Sequence, residues 1–217
     1  MLLQYLLELI QKKLKAELTQ MLLYLMMTIL LVGTPIESKN NVESMGLAVF
    51  RGDKLVGELN NIETLCHLII TNDLKNATIN ITNPFEPSTN ISLYISLSKE
   101  TKRKVSLVNN YPFIECEIWL TGNIPTIYSS IDLSNEACMN TLNEALCDNI
   151  EAHVLSYLYK TSKALKSDIV GFGEYLLPKY ATWQDWLDSD WENNYPNAFF
   201  KVTVHSELQS GYLYNKL

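Results

Sequence analysis

The sequence predicts an α+β fold in which an antiparallel or mixed β-sheet is packed by a long helix and by a short, tryptophan-rich helix. Three observations lead to this class. Residues 76–121 alternate apolar and polar side chains over four segments, as strands with one solvated face do. Residues 134–166 carry one apolar stripe at helical spacing, and residues 182–191 place three tryptophans within ten positions.

The composition limits the classes of function. The chain has 217 residues, of which 47 % are hydrophobic and 10 % aromatic, and its net charge is −7. A chain of this length buries roughly 70 % of its unfolded surface, so stability requires neither a metal nor a disulfide. The acidic balance disfavours nucleic acid as a partner, because phosphate recognition needs a basic face. The four cysteines lack C-x-x-C spacing, which predicts free thiols and no zinc site.

The N-terminal region contains two apolar segments. Residues 2–15 predict an amphipathic helix whose lysines lie toward its C-terminal end. Residues 21–32 are nearly all apolar, but this run is shorter than the about 20 residues that a spanning helix needs. Two interpretations stay open for it: a buried helix or strand, and a membrane anchor or uncleaved signal sequence.

The first regular elements after this region are a hairpin and a short helix. Residues 45–59 alternate on either side of an Arg51-Gly52-Asp53 turn, which predicts two antiparallel strands. Asn61 is a candidate cap for the helix that follows, with Glu63 in its first turn. The inward-facing residues of this helix are predicted to be Leu65, Leu68 and Ile69. His67 is interpreted as a surface or satisfied core histidine, not as a ligand.

The middle of the chain predicts an antiparallel meander. Alternation marks strands at residues 77–82, 91–97, 105–107 and 114–120. The charged run at residues 99–104 is interpreted as a solvated hairpin tip between the second and third of these strands.

Residues 134–166 predict the longest helix, with Ser134 as its N-cap and lysines at its C-terminal end. We expect this helix to lie across the apolar face of the sheet. Its predicted stripe consists of Cys138, Leu142, Leu146, Ile150, His153, Val154, Tyr157, Leu158 and Leu165. His153 lies within or beside the stripe and is therefore interpreted as a core histidine.

A glycine pair, Gly171 and Gly173, is predicted to end that helix, because glycine reaches backbone angles that other residues avoid. The next helix starts near Thr182. Its predicted apolar stripe is Trp183, Trp186, Leu187 and Trp191. This stripe is interpreted as a wedge that docks on the sheet, with an aromatic ligand cage as the alternative. Alternation at residues 200–208 predicts a closing strand in the same sheet.

No catalytic motif is present in the sequence. It contains no G-x-S-x-G elbow, no H-E-x-x-H pair, no P-loop and no dinucleotide-binding G-x-G-x-x-G after a strand. The three histidines are scattered, without a paired nucleophile or metal-ligand spacing. We therefore expect no enzyme, no catalytic residue, no metal and no cofactor.

Two motifs resemble the Ger(x)C family, the C subunits of nutrient germinant receptors in spore-forming bacteria. The first, MGLAVFRGDKLVGELNNIET, spans residues 45–64, and the second begins D-x-x-G-x-G at Asp168. The resemblance covers roughly residues 45–214. The matching residues of the first motif are Gly46, Phe50, Asp53, Lys54, Gly57, Glu63 and Thr64. Those of the second are Asp168, Gly171, Gly173, Trp183, Trp191 and Gly211. In this interpretation the second motif supplies a helix stop, a turn and the wedge.

The resemblance implies a non-catalytic scaffold on the outer face of the spore inner membrane. Such subunits act with two membrane-embedded partners, the A and B subunits, in nutrient-triggered germination. They are lipoproteins anchored through a lipid-modified cysteine, and no cysteine precedes Cys66 here. On this reading residues 1–44 are the remnant of a preceding domain and residues 45–217 form the family's C-terminal domain. The chain is then expected to be a truncated product or a gene fragment without the family's lipid anchor.

Two other classes of function stay open. The chain could be an extracytoplasmic lipoprotein module that binds a small molecule in a pocket near the three tryptophans. It could also be an unrelated surface lipoprotein or secreted module that is anchored by residues 18–32.

Overall fold

The computed structural model describes residues 34–37, 42–124 and 133–210, with side chains over 46–124 and 133–209. The predictions for residues 2–15 and 21–32 lie outside these ranges, as does Gly211. The strands are β1 (Thr34–Glu37), β2 (Val42–Met45), β3 (Leu47–Arg51), β4 (Lys54–Leu59), β5 (Ala77–Thr82), β6 (Asn90–Val108), β7 (Tyr111–Ile124) and β8 (Phe199–Ser210). The α-helices are α1 (Asn61–Thr71), α2 (Glu136–Tyr159), α3 (Trp183–Asp188) and α4 (Trp191–Asn194).

The main sheet has four strands in the order β5-β6-β7-β8. The first three strands are antiparallel neighbours, and β8 joins β7 in parallel. Parallel pairing needs a long crossover connection between the two strands. Helix α2 and the tryptophan segment, residues 182–194 with α3 and α4, supply it. β1–β2 and β3–β4 form separate two-stranded sheets. The predicted α+β class with a mixed sheet, the first hairpin and the closing strand are therefore confirmed.

The hairpin tip predicted at residues 99–104 is wrong. Strand β6 runs without a turn from Asn90 to Val108 and so includes residues 99–104. Its pairing with β7 shifts register between Leu97 and Lys102. The actual turn is Asn109-Asn110, where both residues have positive φ (51° and 68°), as tight hairpin turns require. The lysines stay in the strand because they face solvent and find partners on β7. These contacts include Lys102 Nζ 4.8 Å from the centroid of the Trp119 ring and Lys104 Nζ 3.4 Å from Glu115 Oε2.

Helix α2 with its π-helical extension ends near residue 166 as predicted, but its N-cap and the residue that ends it differ from the prediction. The N-cap is Asn135, not Ser134, because the Asn135 side chain accepts a hydrogen bond from the Ala137 N–H at 2.9 Å. After Tyr159 the helix continues as a π-helix over Lys160–Leu165 and ends at Lys166, whose φ is 49°. The helix therefore stops before the glycine pair, contrary to prediction.

The apolar stripe of α2 is buried as predicted along its central part. Its buried residues are Leu142, Leu146, Ile150, Val154, Tyr157 and Leu158. His153 is half-buried and so is not the core histidine that was predicted, because it lies at the edge of the stripe.

Helix α2 also covers the free edge of β8. The backbone N–H of Val204 donates to Glu151 Oε1 at 2.9 Å, and that of Leu208 donates to Asn143 Oδ1 at 3.0 Å. An exposed sheet edge can template pairing with another chain. Side chains of the helix satisfy this edge instead.

Helix α1 is capped one residue earlier than predicted. The Asn60 side chain accepts from the Glu63 N–H at 2.9 Å, and the Asn60 N–H donates to Glu63 Oε2 at 2.8 Å, which forms a capping box. The buried residues of the helix are Cys66, His67, Ile69 and Ile70. Leu65 and Leu68 are only half-buried. No α-helix in the described part of the chain is long and apolar enough to cross a bilayer.

Candidate functional site

The second motif folds around the carboxylate of Asp168. Its Oδ1 atom accepts hydrogen bonds from the backbone N–H groups of Gly171 (N···O 3.1 Å) and Phe172 (3.0 Å). Its Oδ2 atom accepts one from the backbone N–H of Gly173 (2.8 Å). Gly171 has φ of 78°, a left-handed conformation that favours glycine and that turns these N–H groups toward one point. The D-x-x-G-x-G spacing thus builds a small cage of donors around one side chain.

Trp191 closes this cage from a distant part of the chain. Its indole Nε1–H donates to Asp168 Oδ2 at 3.0 Å. Gly173 permits the approach: a Cβ at that position would lie 2.7 Å from the Trp191 Nε1 atom and 3.2 Å from Cη2 of Trp186. Gly173 is therefore required by close packing, whereas Gly171 is required by its backbone angle.

Four N–H donors occupy the Asp168 carboxylate, which is the arrangement that an ionised, acceptor-only group requires. Burial raises the pKa of Asp168, and the backbone and indole N–H groups act in the opposite direction. With its oxygens engaged in this way, Asp168 holds the motif together and is not available to a substrate.

The tryptophan segment packs against other aromatic rings. Helix α3 starts next to Thr182 as predicted, and Thr182 caps it through hydrogen bonds with Asp185 in both directions. Trp186 and Trp191 are 3 % and 5 % exposed, and their ring centroids lie 6.2 Å apart. Tyr195, which is 1 % exposed, lies 5.8 Å from Trp191. The predicted single stripe is interrupted, because Asp190 adopts a left-handed conformation (φ 48°) between α3 and α4.

That interruption decides which members of the stripe reach the core. Trp183 is half-buried, and Leu187 is 41 % exposed. The buried indoles contact each other and Tyr180, whose ring lies 5.5 Å from Trp186, so they do not surround an enclosed cage.

The first motif uses its glycines for close packing as well. Gly46 has φ of 114°, and a Cβ there would lie 2.5 Å from the carbonyl oxygen of Leu59. A Cβ on Gly57 would lie 2.5 Å from Cδ2 of Leu165, in the π-helix. Glu63 completes the α1 capping box and also pairs with Lys160 at 2.6 Å.

The two motifs meet at the C-terminal end of α2. The Ser167 hydroxyl donates to the carbonyl of Phe50 at 2.9 Å, directly before Asp168 in the chain. The Lys160 ammonium donates to the Glu58 carbonyl at 2.8 Å. Ser167, directly before the second motif, thus contacts the first strand of the hairpin, and the π-helix contacts its second strand.

Other residues of the motifs stay at the periphery. Asp53 and Lys54 are exposed in the β3–β4 turn, and Phe50 and Thr64 are half-buried. The Thr64 hydroxyl is itself buried and has no hydrogen-bond partner among the described residues.

Sequence reasoning missed a pair of buried polar contacts behind these motifs. His67 Nδ1 lies 2.8 Å from the hydroxyl of Tyr157, and Thr161 Oγ1 lies 2.9 Å from that of Tyr195. Burial lowers the pKa of His67 to about 4 and raises that of both tyrosines. The only available signal was the placement of polar residues within an apolar helical stripe.

The described residues contain no group of three that could hold a metal ion. All four cysteines are free. Burial raises the pKa of the Cys66 and Cys116 thiols to about 12, which is the opposite of an activated thiolate.

A groove of about 550 Å³ lies beside the second motif. It is bounded by the β6–β7 hairpin at Leu107, by Tyr180, and by the tryptophan segment. Trp191 contributes to its lining, and Asp185 and Asp188 bring carboxylates to it. The groove is therefore part apolar and part acidic.

The architecture matches that of a solved structure described as "Crystal Structure of the GerBC protein". The TM-score is 0.67 at 16 % identity, over 83 % of this chain and 56 % of that one. The chain thus shares the fold of that protein over the matched part. The family model "Spore germination B3/ GerAC like, C-terminal" matches residues 45–211, and the chain belongs to this family.

A sequence relative gives the same assignment. The chain is 24 % identical over 178 residues to the spore germination protein GerQC of Bacillus cereus. The match covers 81 % of this chain and 48 % of that protein, so the chain spans about half the length of the relatives it matches. The resemblance drawn from the two motifs is confirmed.

Proposed function

We propose that this chain is the C-terminal part of a germinant-receptor C subunit and acts as a non-catalytic scaffold in nutrient-triggered spore germination. The match of residues 45–211 to a spore-germination family carries the proposal. In this role the module stands at the outer face of the spore inner membrane, in a complex with the membrane-embedded A and B subunits.

The motif residues form structural contacts within the chain, which supports a scaffold function. The Asp168 carboxylate, the chemically most distinctive group of the second motif, is occupied by four donors. Gly57 and Gly173 fit the chain against Leu165 and Trp191. These motif residues are used for packing and hydrogen bonding within the module, which is what a scaffold requires.

The experiment is a pull-down from detergent-solubilised spore membranes with the full 217-residue chain as bait. An unrelated acidic protein of similar size and charge is the control bait. Enrichment of multi-spanning receptor subunits over the control, identified by mass spectrometry, is the expected result. If none of them is retained above the control, the scaffold function is rejected.

One observation favours a second candidate, an extracytoplasmic module that binds a small molecule. The groove has Tyr180 and Trp191 in its lining, and many small-ligand sites are lined by aromatic side chains. Titration with amino acids and sugars should then change the tryptophan fluorescence. A flat response to all of them would remove this candidate.

A further inference from the structure

The groove beside the second motif lies at an end of the β6–β7 hairpin that carries exposed apolar side chains. Leu107, which lines it, is 47 % exposed. Beyond it, on the other face of the same hairpin end, Val108, Tyr111 and Phe199 are 53 %, 51 % and 56 % exposed. The rings of Tyr111 and Phe199 lie 6.4 Å apart, edge to face. Exposed apolar side chains that gather in one place are typical of surfaces that contact other proteins.

The acidic side of the groove has no cationic counterpart in the described structure. The Asp185 carboxylate accepts a hydrogen bond from the Thr182 N–H, and the Asp188 carboxylate accepts one from the Gln184 side-chain amide. Neither carboxylate forms an ion pair with a described lysine or arginine. No lysine or arginine lines the groove. The nearby Lys179 ammonium donates to the carbonyl of Val105 on β6. A partner that brings positive charge to this groove is favoured electrostatically.

We propose that this groove is a docking surface for a segment of a partner protein in which an apolar side chain is flanked by lysine or arginine. The apolar residue packs against Leu107 and the half-buried Tyr180, and the cation lies at Asp185 and Asp188. The carboxylates disfavour an anionic lipid surface at this position. An exposed leucine beside two carboxylates that have no described cationic partner fits a segment that carries both an apolar side chain and a cation. The inference rests on the proposed scaffold function for its setting.

The test is a titration of the full chain with a fluorescently labelled, 14-residue amphipathic helical peptide of leucine and lysine. A peptide with glutamate in place of every lysine is its counterpart. We expect the cationic peptide to bind with a Kd in the micromolar range, more weakly as salt is raised, and the anionic peptide to bind at least about tenfold more weakly. Vesicles of anionic phospholipid form the third probe and should not bind.

Variants locate the binding on the chain. Leu107→Ser should weaken the cationic peptide about tenfold. Asp188→Lys places a cation in the last turn of α3, where a helix tolerates it. It leaves Asp185 and the new lysine with opposite charges, so it should remove most of the preference for the cationic peptide. The matched controls are Leu55→Ser, at a leucine on β4 that is 56 % exposed, and Asp148→Lys, at an exposed aspartate on α2. Both should leave the affinities unchanged.

Any of four outcomes would overturn the docking surface. In the wild type these are no binding of the cationic peptide at 1 mM (about 4 kcal/mol of binding free energy), equal binding of both peptides, and binding of the vesicles. Among the variants, it is a loss of affinity in the controls equal to that in the groove variants. The result is distinguishable from failure of the scaffold function. A negative titration with a positive membrane pull-down removes the groove and leaves the scaffold. A positive titration with a negative pull-down keeps the groove and removes the receptor subunits as its partners.

Discussion

The indole nitrogen of Trp191 lies 3.0 Å from the carboxylate of Asp168, which precedes it by 23 residues. This hydrogen bond joins the start of the second motif to its last buried tryptophan. The segment between them holds two short 3-10 turns and α3, so it has little regular structure of its own. A single buried acceptor thus fixes the ends of an otherwise irregular segment.

The first prediction concerns the charge at this acceptor. Asp168→Asn replaces one acceptor oxygen by an NH2 group, which faces N–H donors and leaves at least one of them unpaired. We expect a loss of about 2–4 kcal/mol in the free energy of unfolding, measured by urea denaturation. Asp148→Asn, on the exposed face of α2, is the control and should change stability by less than about 0.5 kcal/mol. Equal stability of the two variants would show that the donors around Asp168 contribute nothing.

The second prediction concerns the wedge. Trp191→Ala removes a side chain that is 5 % exposed and should cost about 3–5 kcal/mol. Trp191→Phe should cost less, because it keeps an aromatic ring in the core, although it loses the hydrogen bond to Asp168. Leu187→Ala is the control within the same segment, since Leu187 is 41 % exposed. An unchanged melting temperature in Trp191→Ala would remove the structural role of this tryptophan.

The third prediction separates the two glycines. Gly173→Ala puts a Cβ 2.7 Å from the Trp191 ring nitrogen, so the indole must move away from Asp168. We expect a cost of about 1–3 kcal/mol and a shift in tryptophan fluorescence. Gly171→Ala meets its nearest atom at 3.4 Å but keeps a φ of 78°, so it should cost about 1–2 kcal/mol without the fluorescence shift. Identical spectra for the two variants would contradict this distinction.

The elements that alternate or repeat regularly were predictable from the sequence, and the turns between them were less so. Strands β5, β7 and β8 and helix α2 follow from apolar spacing alone. The charged run at residues 99–104 was wrongly predicted as a hairpin tip, because clustered lysines usually mark a loop. Here Lys102 and Lys104 face solvent from a strand, where they contact Trp119 and Glu115 on β7. Spacing reports which face is buried and does not report cross-strand partners.

The candidate site was predictable in its residues but not in its contacts. The motif singled out Asp168, Gly173 and Trp191, and their meeting point depends on left-handed residues at Lys166 and Asp190. Neither lysine nor aspartate signals such a conformation as glycine does. The π-helix at Lys160–Leu165 likewise has no recognisable sequence signature, and it positions Thr161 against Tyr195.

The last prediction concerns the buried His67, whose Nδ1 atom lies 2.8 Å from the Tyr157 hydroxyl. Burial lowers the pKa of His67 from 6.5 to about 4, so the folded state takes up this proton only at lower pH than the unfolded state does. The stability that the neutral histidine contributes is present above pH 6.5 and is lost as pH falls toward 4. The full difference corresponds to about 3 kcal/mol.

The measurement is the free energy of unfolding in urea at pH 7 and at pH 4.5. Carboxylates also titrate in this range, so the informative quantity is the pH dependence of the wild type minus that of His67→Gln. We expect the wild type to lose about 2–3 kcal/mol more than the variant over this interval. His205→Gln is the control, because His205 lies on the solvated face with 49 % of its side chain exposed. If His67→Gln and the wild type show the same pH dependence, His67 is not a buried neutral histidine, and the contact with Tyr157 does not depend on its protonation state.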